Sequence, residues 1–374
     1  MSRQHALLSA SSAHRWLECP PSAVAAEAYE DQGSEFAAEG TLAHEVAEAY
    51  ASDNGTRFYS LLETEGATDE MVDCARGYVD YIQEQHKGGP ASLLLEQRVD
   101  FSDWVPDGFG TCDCILIEGD TLTIIDYKYG KGVAVSAVNN PQMRLYALGA
   151  LNDFGFAYDV TTVSMHIYQP RIDNVSTETL TVEELLTWGE KTVRPVAQKA
   201  AKGKGKYNAG AHCKFCPHAG RCRTLASTCT EYVETHGMRV KVPVLAPHEV
   251  AEALQMEPLI SLWLKRVKAQ AMDTMMDGGE VPGFKLVEGK LGNRKWTDEL
   301  QVADVLQKEG YSAEDYTETK LLSPAALDKA IGKKKAAELL AGYVDRAPGA
   351  PTIAPETDKR PVYNRLAVAQ EDFK

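Results

Sequence analysis

The clearest pattern along the chain is a pair of short apolar runs, rich in β-branched residues, on either side of a two-residue turn. The runs are CDCILIE (residues 112–118) and TLTIIDYK (residues 121–128), and Gly119-Asp120 connects them. A connection of this kind favours a tight β-hairpin. Because side chains two residues apart share a face of a strand, the turn also decides which polar residues meet.

The register of this hairpin brings three charged side chains together. If Glu118 pairs with Thr121, counting back along both strands places Asp113 opposite Asp126, with Cβ atoms about 4.5–5.5 Å apart. Lys128 shares the face of Asp126. Facing carboxylates repel each other, and Mg²⁺ or Mn²⁺ would neutralise them through oxygen ligands, waters and a substrate phosphate. The alternative is an ordinary Asp–Lys contact on a solvated strand.

Helical and extended patterns alternate around the hairpin. We predict helices over residues 34–50, 69–86, 139–151, 181–201 and 248–277, and strands over residues 93–99 and 160–169. A short N-terminal helix ends near Cys19, because Pro20-Pro21 cannot continue it. Strands interleaved with helices in this order predict an α/β fold, in which helices flank a mixed sheet and a helical C-terminal region follows.

The C-terminal part of the chain differs in composition from the rest. Residues 282–296 predict a hairpin, two short helices follow up to Tyr343, and the last thirty or so residues are rich in proline. We therefore predict three regions. They are a first domain over residues 1–235, a helical and hairpin region over residues 243–344, and a tail over residues 345–374.

Length and composition indicate a globular protein. The chain has 374 residues, of which 44% are hydrophobic, enough to bury the core of one large or two ordinary domains. No run approaches the roughly 18 apolar residues of a membrane span, and the N-terminal residues lack the hydrophobic region of a secretory signal. These features predict a soluble, cytoplasmic protein. In that compartment its eight cysteines are thiols or metal ligands rather than disulfides.

Charge is distributed unevenly along the chain. The net charge of −15 excludes a uniformly basic nucleic-acid binder. The first seventy residues hold thirteen acidic and three basic side chains, whereas residues 191–223 hold nine basic and no acidic ones. A phosphate backbone would be attracted to the second region. The run from Lys202 to Lys206 is either such a phosphate contact or a flexible, solvated linker.

Four cysteines have the spacing of a metal site. Cys213, Cys216 and Cys222 follow the pattern C-x2-C-x5-C, and Cys19 is a fourth thiol from the other end of the same region. Four thiolates bind either Zn²⁺ or an iron–sulfur cluster, and spacing alone does not separate the two. His212 and His218, close to the trio, keep the zinc option open.

The same residues resemble a known nuclease superfamily. Asp113 followed by Asp126-Tyr127-Lys128 resembles the PD-(D/E)XK nuclease signature. GTLAH (residues 40–44) and NPQMRLYALG (residues 140–149) resemble its RecB-type branch, and the split cysteine motif resembles the iron–sulfur site of AddB and of the CRISPR adaptation nucleases. The resemblance covers about residues 5–230. The whole chain resembles a phage and prophage family with the same core.

This resemblance implies a restriction-endonuclease-like core and a set of site residues. The implied ligands of Mg²⁺ or Mn²⁺ are His44, Asp113, Asp126 and the carbonyl of Tyr127. The implied residues acting on the substrate are the two aspartates with Lys128, which orients or deprotonates the nucleophile, and Gln142 and Tyr146, which hold DNA beside the metal. Gly40, four residues before the histidine, would allow a close backbone approach. Glu96, in the predicted strand over residues 93–99, is either solvated or a further metal contact.

For the cysteines, the resemblance implies a [4Fe–4S] cluster held by Cys19, Cys213, Cys216 and Cys222, with Zn²⁺ as the less favoured occupant. The implied function is metal-dependent hydrolysis of DNA, by an exonuclease that acts in phage or prophage recombination, repair or processing. DNA, as single strands or duplex ends, would be the partner, with a phage recombination or replication protein as a further one. Two alternatives remain open: a non-catalytic nucleic-acid-binding accessory protein on the same scaffold, and a zinc-bound interaction module.

Overall fold

The predicted hairpin lies at the centre of a five-stranded mixed sheet in the computed structural model of the protein. The strands follow one another in chain order across the sheet, and all neighbours are antiparallel except the third and fourth. They are β1 (Ala91–Asp100), β2 (Phe109–Glu118), β3 (Thr121–Tyr127), β4 (Thr162–Gln169) and β5 (Asn174–Thr181). The parallel pair follows from the helix that crosses over between β3 and β4.

The structure describes residues 6–29, 35–52, 54–64, 66–237 and 246–285. They all belong to one compact unit, Met1–Val287, and a second unit spans Glu288–Lys374. Most of the hairpin predicted at residues 282–296, the helices after it and the proline-rich tail lie outside the described residues. The division of the chain at residues 235, 243 and 344 stays a prediction.

Helices cover both faces of the sheet. Before it come α1 (Ala13–Glu18), α2 (Ser22–Ala26), α3 (Glu35–Ala51), α4 (Gly55–Thr64) and α5 (Asp69–Gln85). Between and after the strands come α6 (Pro141–Phe154), α7 (Val182–Trp188), α8 (Arg194–Ala200), α9 (Arg223–Gly237) and α10 (Pro247–Met276). The predicted α/β fold, a mixed sheet flanked by helices with a helical part towards the C-terminus, is thereby confirmed.

Alternation along the two hairpin strands separates two hydrophobic clusters. One contains Ile115 and Ile124 and is covered by α6, which buries residues such as Met143 and Leu145. The other contains Ile125 and is covered by α3 and α5. A third, smaller cluster joins the cysteine-rich segment after α8 to α9 and α10. The sheet is therefore a buried central layer, which holds the polar residues at its strand ends in fixed positions.

Two details differ from the predicted elements. The single helix predicted over residues 181–201 is divided by a π-helical turn, Gly189–Val193. Pro195, which follows at the start of α8, lacks an N–H, so the regular ladder of hydrogen bonds cannot run through it. β5 and α4 were not predicted, and β5 shows why: it alternates between half-buried and exposed positions but carries mostly polar side chains.

Among the described residues, no helix combines the length and the apolar content that crossing a membrane requires.

Candidate functional site

Three adjacent strands each place one carboxylate at the same level of the sheet. The β1–β2 ladder pairs the residues on both sides of Glu96 with the residues on both sides of Asp113. In the hairpin, Glu118 pairs with Thr121 as predicted, and the same register continued to the end of the ladder places Asp113 opposite Asp126. The turn chemistry was therefore sufficient to predict this meeting of carboxylates.

Asp113 is held by the backbone of the neighbouring strand and by a histidine. Its Oδ2 accepts a hydrogen bond of 2.7 Å from the backbone N–H of Tyr127, which lies just past the last ladder pair. Its Oδ1 lies 3.6 Å from His44 Nδ1, and the His44 ring packs edge-on against the Tyr127 ring. Burial raises the pKa of Asp113, but His44, Lys128 and the Tyr127 N–H together hold it below its ordinary value.

Asp126 is almost fully buried, with 2% of its side chain exposed. Its Oδ2 lies 2.8 Å from Lys128 Nζ but makes no hydrogen bond of normal geometry within the described residues. Burial raises the pKa of Asp126 above its ordinary value, with a further contribution from Asp113, while Lys128 acts in the opposite direction. A buried carboxylate oxygen with unused acceptor capacity is what a cation or a protonated nucleophile would occupy.

His44, Glu96 and Asp113 form the group in the described residues that could hold a metal ion, with their ligand atoms all within 4.8 Å of one another. Burial raises the pKa of Glu96 to about 7, and the negative charge of Asp113 adds to the effect. Carboxylates crowded in this way favour a divalent cation, and the mixed nitrogen and oxygen donors suit Mg²⁺ or Mn²⁺. The chemistry of the donor set therefore fits the predicted metal.

Glu96 is the residue that the sequence left undecided. The signal that would have placed it was the register of β1 on β2, which brings it opposite Asp113. The connection over residues 101–108 is irregular, so no turn rule determined that register. The residue also has a positive φ of 45°, an uncommon backbone conformation for glutamate.

Gln142 and Tyr146 extend from α6 over the same carboxylates. Gln142 Nε2 lies 3.5 Å from Asp126 Oδ1 and 3.3 Å from the Tyr146 hydroxyl. The helix begins where it does because the Asn140 side chain accepts hydrogen bonds from the first turn and a proline takes the first position. Gly110 on β2 leaves room for the ring, since a Cβ built there would lie 2.8 Å from Tyr146 Cε1.

Gly40 does not lie against another part of the described chain. A Cβ built on it would have no described neighbour within 4 Å, so the close approach expected at this glycine is not made by the protein itself. The space above the first turns of α3 is open. A substrate backbone is the remaining candidate for that approach.

The four predicted cysteine ligands line one cavity at the junction of α1 with the segment after α8. Each Sγ accepts a hydrogen bond from a backbone N–H. The pairs are Asn208 to Cys19 (3.4 Å), Gly210 to Cys213 (3.5 Å), Leu225 to Cys222 (3.5 Å) and His218 to Cys216. Backbone donors directed at sulfur stabilise thiolates and are characteristic of metal and cluster sites. Burial raises the pKa of Cys213 and of Cys216 in the metal-free arrangement.

Comparison with known proteins gives a family for this chain. The family described as "Protein of unknown function (DUF2800)" matches residues 5–361. The chain belongs to this family. Two solved structures are similar to it. A "putative exonuclease" from Eubacterium rectale has 12% identity and a TM-score of 0.35 over 56% of this chain and 87% of that one. SSO0001 has 10% identity and a TM-score of 0.24 over 49% of this chain and 85% of that one.

Proposed function

We propose that this DUF2800 protein is a metal-dependent DNA nuclease of the PD-(D/E)XK type. The observation that carries the proposal is the convergence of Glu96, Asp113 and Asp126 from three adjacent strands, with Lys128 paired to the last of them. His44 approaches from α3 and completes a set of nitrogen and oxygen donors. Few other reactions require buried carboxylates and a lysine in this arrangement.

The metal would be held by His44, Glu96, Asp113, Asp126 and the carbonyl of Tyr127. When bound, Mg²⁺ or Mn²⁺ polarises the scissile phosphate and lowers the pKa of a bound water. Lys128, kept in place by its 2.8 Å contact with Asp126, then orients the attacking water and stabilises the negative charge that develops on the phosphate.

Two side chains of α6 complete the proposed site. Gln142 Nε2 contacts both Asp126 and the hydroxyl of Tyr146, so it can donate one hydrogen bond to DNA while the carboxylate keeps its orientation. Both residues lie at i and i+4 of the helix and share a face. We assign them to positioning the DNA strand beside the metal.

We further propose that the enzyme is an exonuclease that processes phage or prophage DNA in the cytoplasm, in recombination or repair, beside a phage recombination or replication protein. This finer assignment rests on the sequence resemblance. The test is degradation of end-labelled single-stranded, blunt duplex and circular DNA with Mn²⁺. Cleavage of linear but not circular DNA supports the exonuclease. Binding without any chelator-sensitive cleavage indicates the non-catalytic accessory protein instead.

Replacing Glu96 with glutamine is expected to weaken Mn²⁺ binding at least about tenfold, because a neutral amide supplies less charge to the cation than a carboxylate does. Binding is measured by calorimetry on the protein alone, so the result does not depend on activity. Glu48→Gln is the matched control, since Glu48 lies nearby on α3, is exposed and is outside the ligand group. Equal Mn²⁺ affinity of Glu96→Gln and wild type would remove Glu96 from the site.

The cysteine site is proposed to hold a [4Fe–4S] cluster. Four sulfurs on one zinc ion, each at about 2.3 Å from it, would lie about 3.8 Å from one another. Within the described residues, the group whose ligand atoms come within 4.8 Å contains no cysteine, so the thiols surround a wider space than one ion requires. This spacing and the four N–H donors support a cluster over Zn²⁺.

A second expected result concerns the basic run before the cysteines. Lys199, Lys202, Lys204 and Lys206 are exposed and have no ion-pair partner among the described residues. Replacing all four with alanine is expected to lower the slope of log affinity against log salt by roughly 3 to 4 for duplex DNA, because each neutralised phosphate contributes about 0.9. Replacing Lys265 and Lys268 on α10 controls for charge. An unchanged slope would identify the run as a linker.

A further inference from the structure

An open cleft of about 720 Å³ lies between the candidate metal centre and the cysteine cavity. Its walls come from α1, from the residues just before α6, from the turn between α7 and α8, and from residues 208–212. Asn139 and Pro141 on one wall immediately precede Gln142, which reaches Asp126. Asn208 and His212 on the opposite wall also line the cysteine cavity. The cleft therefore leads from one site to the other.

The lining of the cleft combines apolar and polar groups. Trp188, half-buried, lines it together with aliphatic side chains such as Leu17 and Val196. The Thr192 and Asn208 side chains are exposed there and make no hydrogen bond within the described part of the chain. An aromatic ring, aliphatic walls and unused hydrogen-bonding groups can receive a flat, polar heterocycle.

Charge around the cleft suits a phosphate-linked ligand. Lys191 precedes Thr192 in the chain and Lys206 lies two residues before Asn208, and both lysines are exposed. They belong to the segment over residues 191–223 that carries nine basic and no acidic side chains. One acidic residue, Glu18, lies on the α1 wall. Phosphates would therefore lie at the rim, beside the lysines, while the base occupies the interior.

We propose that this cleft binds bases of single-stranded DNA and guides the strand to the metal centre. A volume of about 720 Å³ is within the range of small-ligand pockets and has room for one or two nucleotides. A duplex keeps its bases paired and stacked inside, so it cannot present them to Trp188. The inference rests on the proposed nuclease function and deepens it, because it selects single strands as the substrate.

The test is DNA binding in EDTA, where no cleavage takes place. Thr192→Trp fills the cleft and is expected to weaken binding of a 20-nucleotide oligothymidine at least about tenfold, the loss of roughly one stacked base, with duplex binding unchanged. Thr187→Trp is the matched control, because Thr187 is an exposed threonine on α7 that does not line the cleft. Equal loss in both variants, or no loss in Thr192→Trp, would overturn the proposal.

A measurement on the unaltered protein covers the case in which Thr192→Trp does not fold. An oligonucleotide carrying one abasic nucleotide is tested with that nucleotide at each position in turn. The proposal expects one or two positions at which affinity falls at least about fivefold, where bases enter the cleft. A uniform response along the strand contradicts it. Thymidine monophosphate that competes as well as the oligonucleotide would assign the cleft to free nucleotides instead.

Failure of this inference and failure of the nuclease proposal give different results. Wild-type protein that hydrolyses DNA, with normal single-strand affinity in Thr192→Trp, refutes the cleft and leaves the nuclease standing. Selective loss of single-strand binding in a protein that hydrolyses no DNA supports the cleft and refutes the nuclease.

Discussion

Asp126→Asn is expected to lower the rate of DNA hydrolysis by at least about a thousandfold while the protein remains folded. The amide has the shape of the carboxylate but lacks the charge that would hold the metal and orient Lys128, 2.8 Å away. The fold should tolerate the change, because the substitution also removes a buried charge facing Asp113. Asp113→Asn and Lys128→Met are expected to lose activity to a similar extent.

Cleavage of end-labelled DNA with saturating Mn²⁺ measures this effect, and thermal melting of the same samples measures the fold. Asp103→Asn is the matched control, because Asp103 is an exposed aspartate in the connection between β1 and β2, away from the ligand group. The control should keep both wild-type activity and wild-type melting temperature. Chelator-sensitive cleavage at near-normal rates in Asp126→Asn would show that the hydrolysis takes place elsewhere.

The hairpin could be predicted from the sequence in detail because its turn leaves little freedom. Gly119 has a φ of 62°, and two residues joining two β-branched runs are compatible with few pairings. From that register the facing positions of Asp113 and Asp126 follow by counting. β5 could not be found in the same way, since its half-buried face carries residues such as Ser176 and Glu178, which pack against the neighbouring loop and α6 rather than in an apolar core.

The rest of the candidate site depends on tertiary packing. His44 lies on α3, far from Asp113 in sequence, and nothing in the pattern of that helix indicates that its ring would come within 3.6 Å of the carboxylate. That position was expected from the family resemblance. Glu96 depends on the pairing of β1 with β2, for which the irregular connection gives no rule. Local sequence therefore predicts one strand pair of the site, whereas the contributions of the other elements require the packed fold.

Cys19→Ser is expected to release the proposed cluster and to destabilise the whole first domain. Cys19 lies at the end of α1, and its partners follow nearly two hundred residues later, after α8. A link across so long a loop removes roughly 5 kcal/mol of unfolded-chain entropy in the description used for covalent cross-links. The cluster should thus act as a staple between the two ends of the domain.

This effect is measured by iron and sulfide content after anaerobic purification, by visible absorption, and by thermal melting. Wild type is expected to be brown with about four irons per chain, and Cys19→Ser to be colourless and to melt at a lower temperature. Cys229→Ala is the control, because Cys229 is buried in the same hydrophobic cluster but does not line the cavity. Activity should fall in Cys19→Ser as well, although Cys19 is remote from the carboxylates, because the staple holds α1 against α8 and the cysteine segment. Stoichiometric zinc without iron would refute the cluster, and a stable, active Cys19→Ser protein would refute the staple.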